Sequence, residues 1–128
     1  MSDKENFLRK VNKAFVEGNR QFLLEAISED ICWDIVGEKM VSGKMEFSDA
    51  LEKMQEMPPI KIDIQKVVIQ ENSAVVTGIV IGRNHVGQKK NFGFCDIYEL
   101  AGSKDLKIDK MTSYVIDISK YKQYRETC

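Results

Sequence analysis

The chain has 128 residues, 43% of them hydrophobic and 30% charged, and its formal net charge is -1. This length fits one domain with a core of its own, which we expect to extend over residues 1–128. The small net charge gives no electrostatic reason to expect nucleic acid or an acidic membrane as a partner. The N-terminus lacks the apolar core of a secretory signal, and no apolar run approaches the roughly 20 residues that span a bilayer. We therefore expect a cytoplasmic protein.

The three cysteines indicate neither a disulfide framework nor a metal site. Their number is odd, no CxxC motif occurs, and the one histidine, His85, is not at ligand spacing from any of them. Cys32 and Cys95 are expected to be small buried hydrophobes and Cys128 a terminal thiol. His85 lies in GRNHVGQ, a pattern typical of an exposed hairpin turn. We expect no metal and no cofactor.

The first half of the chain predicts three helices. Apolar residues recur at helical spacing near 3 to 17, and Gly18-Asn19 then supplies a stop signal and an N-cap. A second, shorter stripe runs from Asn19 through Ile27 and ends at the polar residues 28–30. A third stripe, from Phe47 to Met54, ends before Pro58-Pro59 because proline cannot continue a helix.

The remaining segments have the two-residue period of strands. The run SEDICWDIVG at 28–37 separates the second and third helices, and four more strands follow the third helix. These four are the alternating segment that begins at Ile60, then SAVVTGIVIGR, KNFGFCDIYEL and LKIDKMTSYVI. Helices followed by a run of antiparallel strands predict an α+β fold, with the three N-terminal helices on one face of a curved sheet.

One carboxylate, Asp34, lies in the middle of the apolar run at 28–37. Side chains alternate along a strand, so Trp33 would face the core and Asp34 the other side, and a one-residue slip would reverse them. A carboxylate away from water is costly unless it is hydrogen-bonded, paired or protonated. Asp34 is therefore either an acid/base group in a pocket or a structural carboxylate at an edge open to solvent.

A second carboxylate, Asp96, stands in the aromatic row of NFGFCDIYEL, where Phe94 and Tyr98 share its face. Arg83, at the end of the preceding strand, is an available partner. An Asp96–Arg83 pair would be either structural or a site for an anionic ligand.

The order of these elements and motifs resembles the nuclear transport factor 2-like superfamily, in its ketosteroid-isomerase-like and SnoaL-like branch. The resemblance covers the chain from about Phe7 to Val115 and includes SEDICWDIVG, VSGKMEFSDALEKM and the strand meander. It implies a cone in which a strongly curved, mostly antiparallel sheet holds the three helices in its concave face around an apolar pocket. It also implies a homodimer across the outer face of the sheet.

The resemblance also implies roles for particular residues. DIVG at 34–37 is similar to the motif of the isomerases, with isoleucine in place of proline, and puts Asp34 at the position of their proton-shuttling base. Asp96 falls on the position of an aspartic acid that stays protonated and donates to a developing oxyanion. The isomerases' helix tyrosine is missing, since Val11 stands at its position. The expected pocket residues are Val11, Phe15, Trp33, Met54, Arg83, Phe94, Tyr98 and Tyr114.

Two functions remain open from the sequence. One is a pocket enzyme, an isomerase, cyclase or hydrolase, with Asp34 as acid/base and Asp96 either as a neutral acid or paired with Arg83. Its substrate would be a small apolar molecule of the carbonyl or epoxide type. The missing helix tyrosine is one of the isomerases' oxyanion donors, and losing one such donor lowers the rate by about 10²–10³-fold. This argues against steroid isomerisation. The other is a non-catalytic ligand-binding or dimerisation module in which both aspartates are structural.

Overall fold

The computed structural model describes residues 2–120, which contain three helices and six strands. Two strands lie between the second and third helices, and four follow the third helix. Cys128, expected to be a terminal thiol, lies outside this range. The elements in chain order are α1 Asp3–Glu17, α2 Arg20–Ala26, β1 Ile27–Ile35, β2 Lys39–Ser42, α3 Gly43–Met54, β3 Lys61–Gln70, β4 Ser73–Arg83, β5 Lys89–Ala101 and β6 Lys107–Asp117.

The first two helices are separated by the Gly18-Asn19 pair. Gly18 has a φ of 68°, the left-handed conformation that glycine adopts without steric cost, and its N–H donates to the carbonyl of Ala14. Asn19 then caps α2 by accepting a hydrogen bond from the N–H of Phe22 at 3.2 Å. Helix α2 ends one residue earlier than expected, because Ile27 is already the first residue of β1 and is buried there.

The six strands form one sheet in the order β2-β1-β6-β5-β4-β3. Strands β3 to β6 are the predicted antiparallel meander, and β1 joins it by pairing in parallel with β6. Strand β2, which has only four residues, was not predicted because so short a segment carries no readable period. The α+β class, with three helices against a mostly antiparallel sheet, is confirmed.

The core lies between the helices and one face of the sheet, called here the inner face. Apolar side chains from α1, α3 and alternate strand positions fill it. Its largest fully buried members are Tyr98, Phe47, Leu8, Ile27, Ile31, Val11 and Val76. Within residues 2–120, no helix combines the length and the apolar character needed to cross a membrane.

The pairing of β3 with β4 is irregular next to Gly78. The register of β3 shifts between Ile64 and Lys66, and Ile64 lies opposite Gly78. A side chain at Gly78 would collide with the carbonyl oxygen of Asp63 and come within 3.0 Å of the ring of Phe94. Glycine is therefore needed here because the backbone of β3 approaches too closely for a Cβ atom.

Candidate functional site

A cavity of about 440 Å³ opens between the helices and the inner face of the sheet. Cavities of roughly 300–1,000 Å³ with apolar walls and a few polar groups are typical small-molecule sites. The apolar wall here includes Phe15, Val16, Trp33, Ile35, Met54, Ile62, Val80, Phe94 and Met111.

Strand register determines which side chains face this cavity. Asp96 of β5 lies opposite Ser113 of β6, and Ser113 lies opposite Ile35 of β1. All three line the cavity. Because directly paired residues point to the same face of a sheet, they form one row across three strands.

Asp96 is the carboxylate in the deep part of the cavity, called here the floor. Tyr98 donates a hydrogen bond from its hydroxyl to Oδ2 of Asp96 at 3.4 Å, and Ser113 is hydrogen-bonded to the same carboxyl. Burial raises the pKa of Asp96 to about 6, although the hydrogen bonds from Ser113 and Tyr98 act to lower it. Asp96 therefore titrates close to neutral pH, as an acid/base group should.

Asn12 of α1 completes the floor. Its Nδ2 donates to the carbonyl of Leu8 at 2.9 Å and to the hydroxyl of Tyr98 at 3.4 Å. No residue in the range 2–120 donates to its Oδ1, and no fully buried side-chain polar atom in that range lacks a partner. Because Asn12 lines the cavity, this oxygen is a free acceptor that faces it.

Tyr98 lies behind the floor and is fully buried. Burial and the nearby charge of Asp96 raise the pKa of Tyr98 well above its usual value. Tyr98 therefore keeps its proton and remains a hydrogen-bond donor to Asp96, while its oxygen accepts from Asn12.

Trp33 forms a fixed part of the cavity wall. Its Nε1 donates to Oγ of Ser113 at 2.9 Å. Its ring contacts Phe15 at a centroid distance of 5.9 Å and Phe47 at 5.4 Å, in tilted geometries that aromatic pairs favour. The wall and the floor are thereby connected, since Ser113 bonds to both Trp33 and Asp96.

Three charged side chains line the opposite, solvent-exposed end of the cavity, called here the mouth. They are Glu38, Lys39 and Lys53. In the described part of the chain, no ion pair or side-chain hydrogen bond involves any of the three.

The expected pocket residues divide into three groups. Phe15, Trp33, Met54 and Phe94 line the cavity. Val11 and Tyr98 are fully buried in the core beside it and do not line it. Arg83 and Tyr114 lie elsewhere.

We expected Asp34 to line the same cavity as Asp96, and this expectation was wrong. Asp34 is paired with Met40 on one side and Thr112 on the other, whereas Asp96 is paired with Ser113. Because Thr112 and Ser113 point to opposite faces, the two aspartates do so as well. Asp34 is half-buried on the outer face of the sheet, behind Trp33.

Arg83 and Tyr114 also point to the outer side of the sheet. Asp96 lies opposite Val76, an even position of β4, so odd-numbered Arg83 is on the other face. Its guanidinium donates to the carbonyl of Gly87 at 3.1 Å within the hairpin. Tyr114 lies opposite Cys95 on the outer face and is 45% exposed. The expected Asp96–Arg83 pair is therefore absent.

Sequence reasoning missed Asn12 and Ser113. Asn12 follows Leu8 by four residues and is thus a polar residue on the apolar face of α1, a signal that could have been read. Ser113 is likewise a polar residue on an apolar face, because on β6 it shares its face with Met111 and Val115. For metals, the described residues contain no group of three or more His, Cys, Asp and Glu side chains that could hold an ion.

Three helices on the inner face of a six-stranded sheet, around an apolar cavity with a buried carboxyl group, define a class of small α+β pocket proteins. The model of the SnoaL-like domain family matches residues 8–108, and the chain belongs to this family. None of the proteins with curated functional descriptions matches the sequence.

Solved structures share this fold, and the resemblance to the nuclear transport factor 2-like superfamily is confirmed. A protein named as a SnoaL-like polyketide cyclase from Shewanella denitrificans is 11% identical, with a TM-score of 0.80 over 98% of this chain and 99% of that one. An NTF2-like protein of unknown function from Cytophaga hutchinsonii is 25% identical, with a TM-score of 0.67 over 88% and 98%. An LEH-like epoxide hydrolase of M. tuberculosis is 14% identical, with a TM-score of 0.73 over 86% and 80%.

Proposed function

We propose that the cavity binds a small, mostly apolar molecule and that Asp96 transfers a proton to or from it. The observation that carries this proposal is a carboxyl group with a pKa of about 6 on the floor of a cavity with mostly apolar walls. Perturbed titrating groups of this kind in clefts are typical of acid/base sites. Asp96 thus replaces Asp34 as the acid/base residue.

The proposed chemistry uses Asp96 twice. At neutral pH its ionised form removes a proton from the carbon next to a carbonyl group, and its protonated form returns that proton to another atom of the enol or enolate. A bound ligand expels water, which raises the pKa of Asp96 further and favours the protonated intermediate. Tyr98 and Ser113 hold the carboxyl in place, and Oδ1 of Asn12 accepts a hydrogen bond from a ligand hydroxyl.

One carboxyl group at the floor favours isomerisation or cyclisation of a carbonyl compound. These reactions need a single base that later acts as an acid, whereas an epoxide hydrolase must also position a water molecule. The fold itself does not decide between these reactions, since the protein named as a SnoaL-like polyketide cyclase and the LEH-like epoxide hydrolase both share it.

Solvent-deuterium exchange tests proton transfer with a simple ketone in place of the natural substrate. We expect the protein to accelerate α-proton exchange of 2-tetralone, a bicyclic ketone, followed by ¹H NMR in D₂O. Asp96→Asn should lower that acceleration by about 10²-fold or more, the usual contribution of an acid/base residue. Asp34→Asn, which changes the same residue type on the outer face, should retain it.

The alternative is a non-catalytic ligand-binding module. It is favoured by the placement of Asp34 outside the cavity, which leaves Asp96 without a second acid/base group at the floor. Quenching of Trp33 fluorescence by 2-tetralone, without any acceleration of exchange, would support this alternative.

We also propose that the protein is a homodimer formed across the outer face of the sheet. Apolar side chains from four adjacent strands meet on that face, and several are strongly exposed, including Ile116 at 66% and Val68 at 46%. A contiguous exposed apolar patch of this kind marks an interaction surface. Its members are Val68, Val75, Ile79, Ile81, Ile97, Tyr114 and Ile116.

A further inference from the structure

We infer that the ligand of this cavity is an amphiphilic acid, whose anionic end is held at the mouth by Lys39 and Lys53. The inference rests on the proposed function and names the substrate class for the same site. It follows from the positions of charge along the cavity, which differ between floor and mouth.

The floor and the mouth lie on one row of the sheet. Asp96, Ser113 and Ile35 are directly paired, and Ile35 is in turn paired with Lys39 of β2. Lys39 therefore points to the same inner face as Asp96, three strands away. Because neighbouring strands are about 4.8 Å apart, the two backbone positions are separated by roughly 14 Å along the sheet. A ligand that lies along this row has one end at Asp96 and the other at Lys39.

Lys53 approaches the same mouth from the helical side. It lies in the last turn of α3, next to Met54 and one turn after Ala50, which both line the cavity. Neither Lys39 nor Lys53 forms an ion pair with any residue in the range 2–120, so both ammonium groups are available to a ligand. Glu38 is the one acidic group at the mouth, which leaves this end with a net positive charge.

These charges also determine the orientation of the ligand. An acid is disfavoured with its carboxylate at the floor, because it would lie beside the carboxyl group of Asp96, and two ionised carboxylates repel each other. At the mouth, the same carboxylate is attracted by two ammonium groups, while the lysine stems extend the apolar wall. A hydroxyl group at the other end of the ligand can then donate a hydrogen bond to Asp96 or to Oδ1 of Asn12.

Trp33 provides a direct measurement of binding, since it is the one tryptophan of the chain and lines the cavity. We would titrate the protein with 8-hydroxyoctanoate, 1-octanol and 8-amino-1-octanol, which share a hydroxyl end and differ only at the other end. The acid should bind about tenfold more tightly than the alcohol at low salt, since two ammonium groups contact it at a partly solvated site. The amine should bind most weakly.

Lys39→Gln/Lys53→Gln should remove the preference, so that the acid and 1-octanol bind this variant with the same affinity. Glu38→Gln should increase the preference a few-fold. Lys66→Gln/Lys104→Gln removes the same charge from two exposed positions that do not line the cavity, and it should bind all three compounds as the unmodified protein does.

Equal affinity of the unmodified protein for the acid and the alcohol would contradict the proposal that the ligand has an anionic end. A preference for the acid that persists in Lys39→Gln/Lys53→Gln would contradict the role of these two lysines. Both results would leave the proposed ligand-binding function intact. If none of the three compounds changed Trp33 fluorescence, the proposed function would fail together with the inference.

Discussion

Trp33 donates a hydrogen bond from its indole nitrogen to Oγ of Ser113 at 2.9 Å, and Ser113 is in turn hydrogen-bonded to Asp96. A serine hydroxyl has one proton to donate. Because Trp33 must donate to Ser113, the proton of Ser113 is free for Asp96. The tryptophan thus fixes the direction of the bond that stabilises the ionised carboxylate.

Ser113→Ala should therefore raise the pKa of Asp96 above its value of about 6, because a hydrogen bond to the charged form is lost. The carboxyl resonance of Asp96, followed by ¹³C NMR as a function of pH, measures this shift. Trp33 also loses its buried acceptor, which should lower the free energy of unfolding by about 1–3 kcal/mol.

Thr112→Ala is the matched control, since it removes a hydroxyl from the adjacent position on the outer face. It should leave the titration of Asp96 unchanged. An unchanged titration in Ser113→Ala as well would contradict the proposed bond direction.

Asp96→Asn should stabilise the protein in a pH-dependent manner. The pKa of Asp96 is about 6 in the folded protein against an ordinary value of 3.8, so the folded state binds its proton more tightly. Ionisation therefore destabilises the folded state as pH rises from about 4 to above 6. The full penalty is about 3 kcal/mol, from 1.36 kcal/mol per pKa unit.

Urea unfolding at pH 4 and pH 7.5 measures this effect. The advantage of Asp96→Asn over the unmodified protein should be small at pH 4, where Asp96 is mostly protonated in the folded state, and largest at pH 7.5. If the advantage of Asp96→Asn in the free energy of unfolding were the same at both pH values, Asp96 would have an ordinary pKa.

The sequence predicts much of this fold but only part of the site. Helical periodicity and the Gly18-Asn19 pair locate the first two helices because these are local signals. The alternation of Trp33 and Asp34 is also local, but both faces of that segment carry apolar residues. Which face lines a cavity depends on the strands that pair with it, and parallel pairing of β1 with β6 turned Trp33 inward. The short strand β2, which brings Lys39 to the mouth, forms only because β1 offers it an edge.

Ile97→Glu should convert the proposed dimer into a monomer. Ile97 lies near the centre of the outer apolar patch, between Val75 and Thr112, and a buried unpaired charge is costly in an interface. Size-exclusion chromatography with light scattering gives the mass directly. Met45→Glu is the control, since Met45 is 81% exposed on α3, away from the sheet. A monomeric unmodified protein would refute the dimer.

Gly78→Ala should destabilise the protein more than Gly82→Ala, although both replace a buried glycine of β4 by the same residue. A Cβ atom at Gly78 collides with the carbonyl oxygen of Asp63, a backbone atom that cannot move without displacing β3. At Gly82 the nearest atom is a ring carbon of Phe92 at 3.7 Å, an ordinary contact. Overpacking of the first kind costs about 1–3 kcal/mol, which urea unfolding can resolve.

The same pair of variants tests whether the close approach of β3 to Gly78 shapes the cavity. Phe94 lines the cavity and lies within 3.0 Å of the Cβ position at Gly78, so Gly78→Ala should also push its ring toward the ligand. We expect weaker quenching of Trp33 by 2-tetralone in Gly78→Ala and unchanged quenching in Gly82→Ala. Equal stability and equal quenching in the two variants would mean that β3 can move away from β4 at no cost.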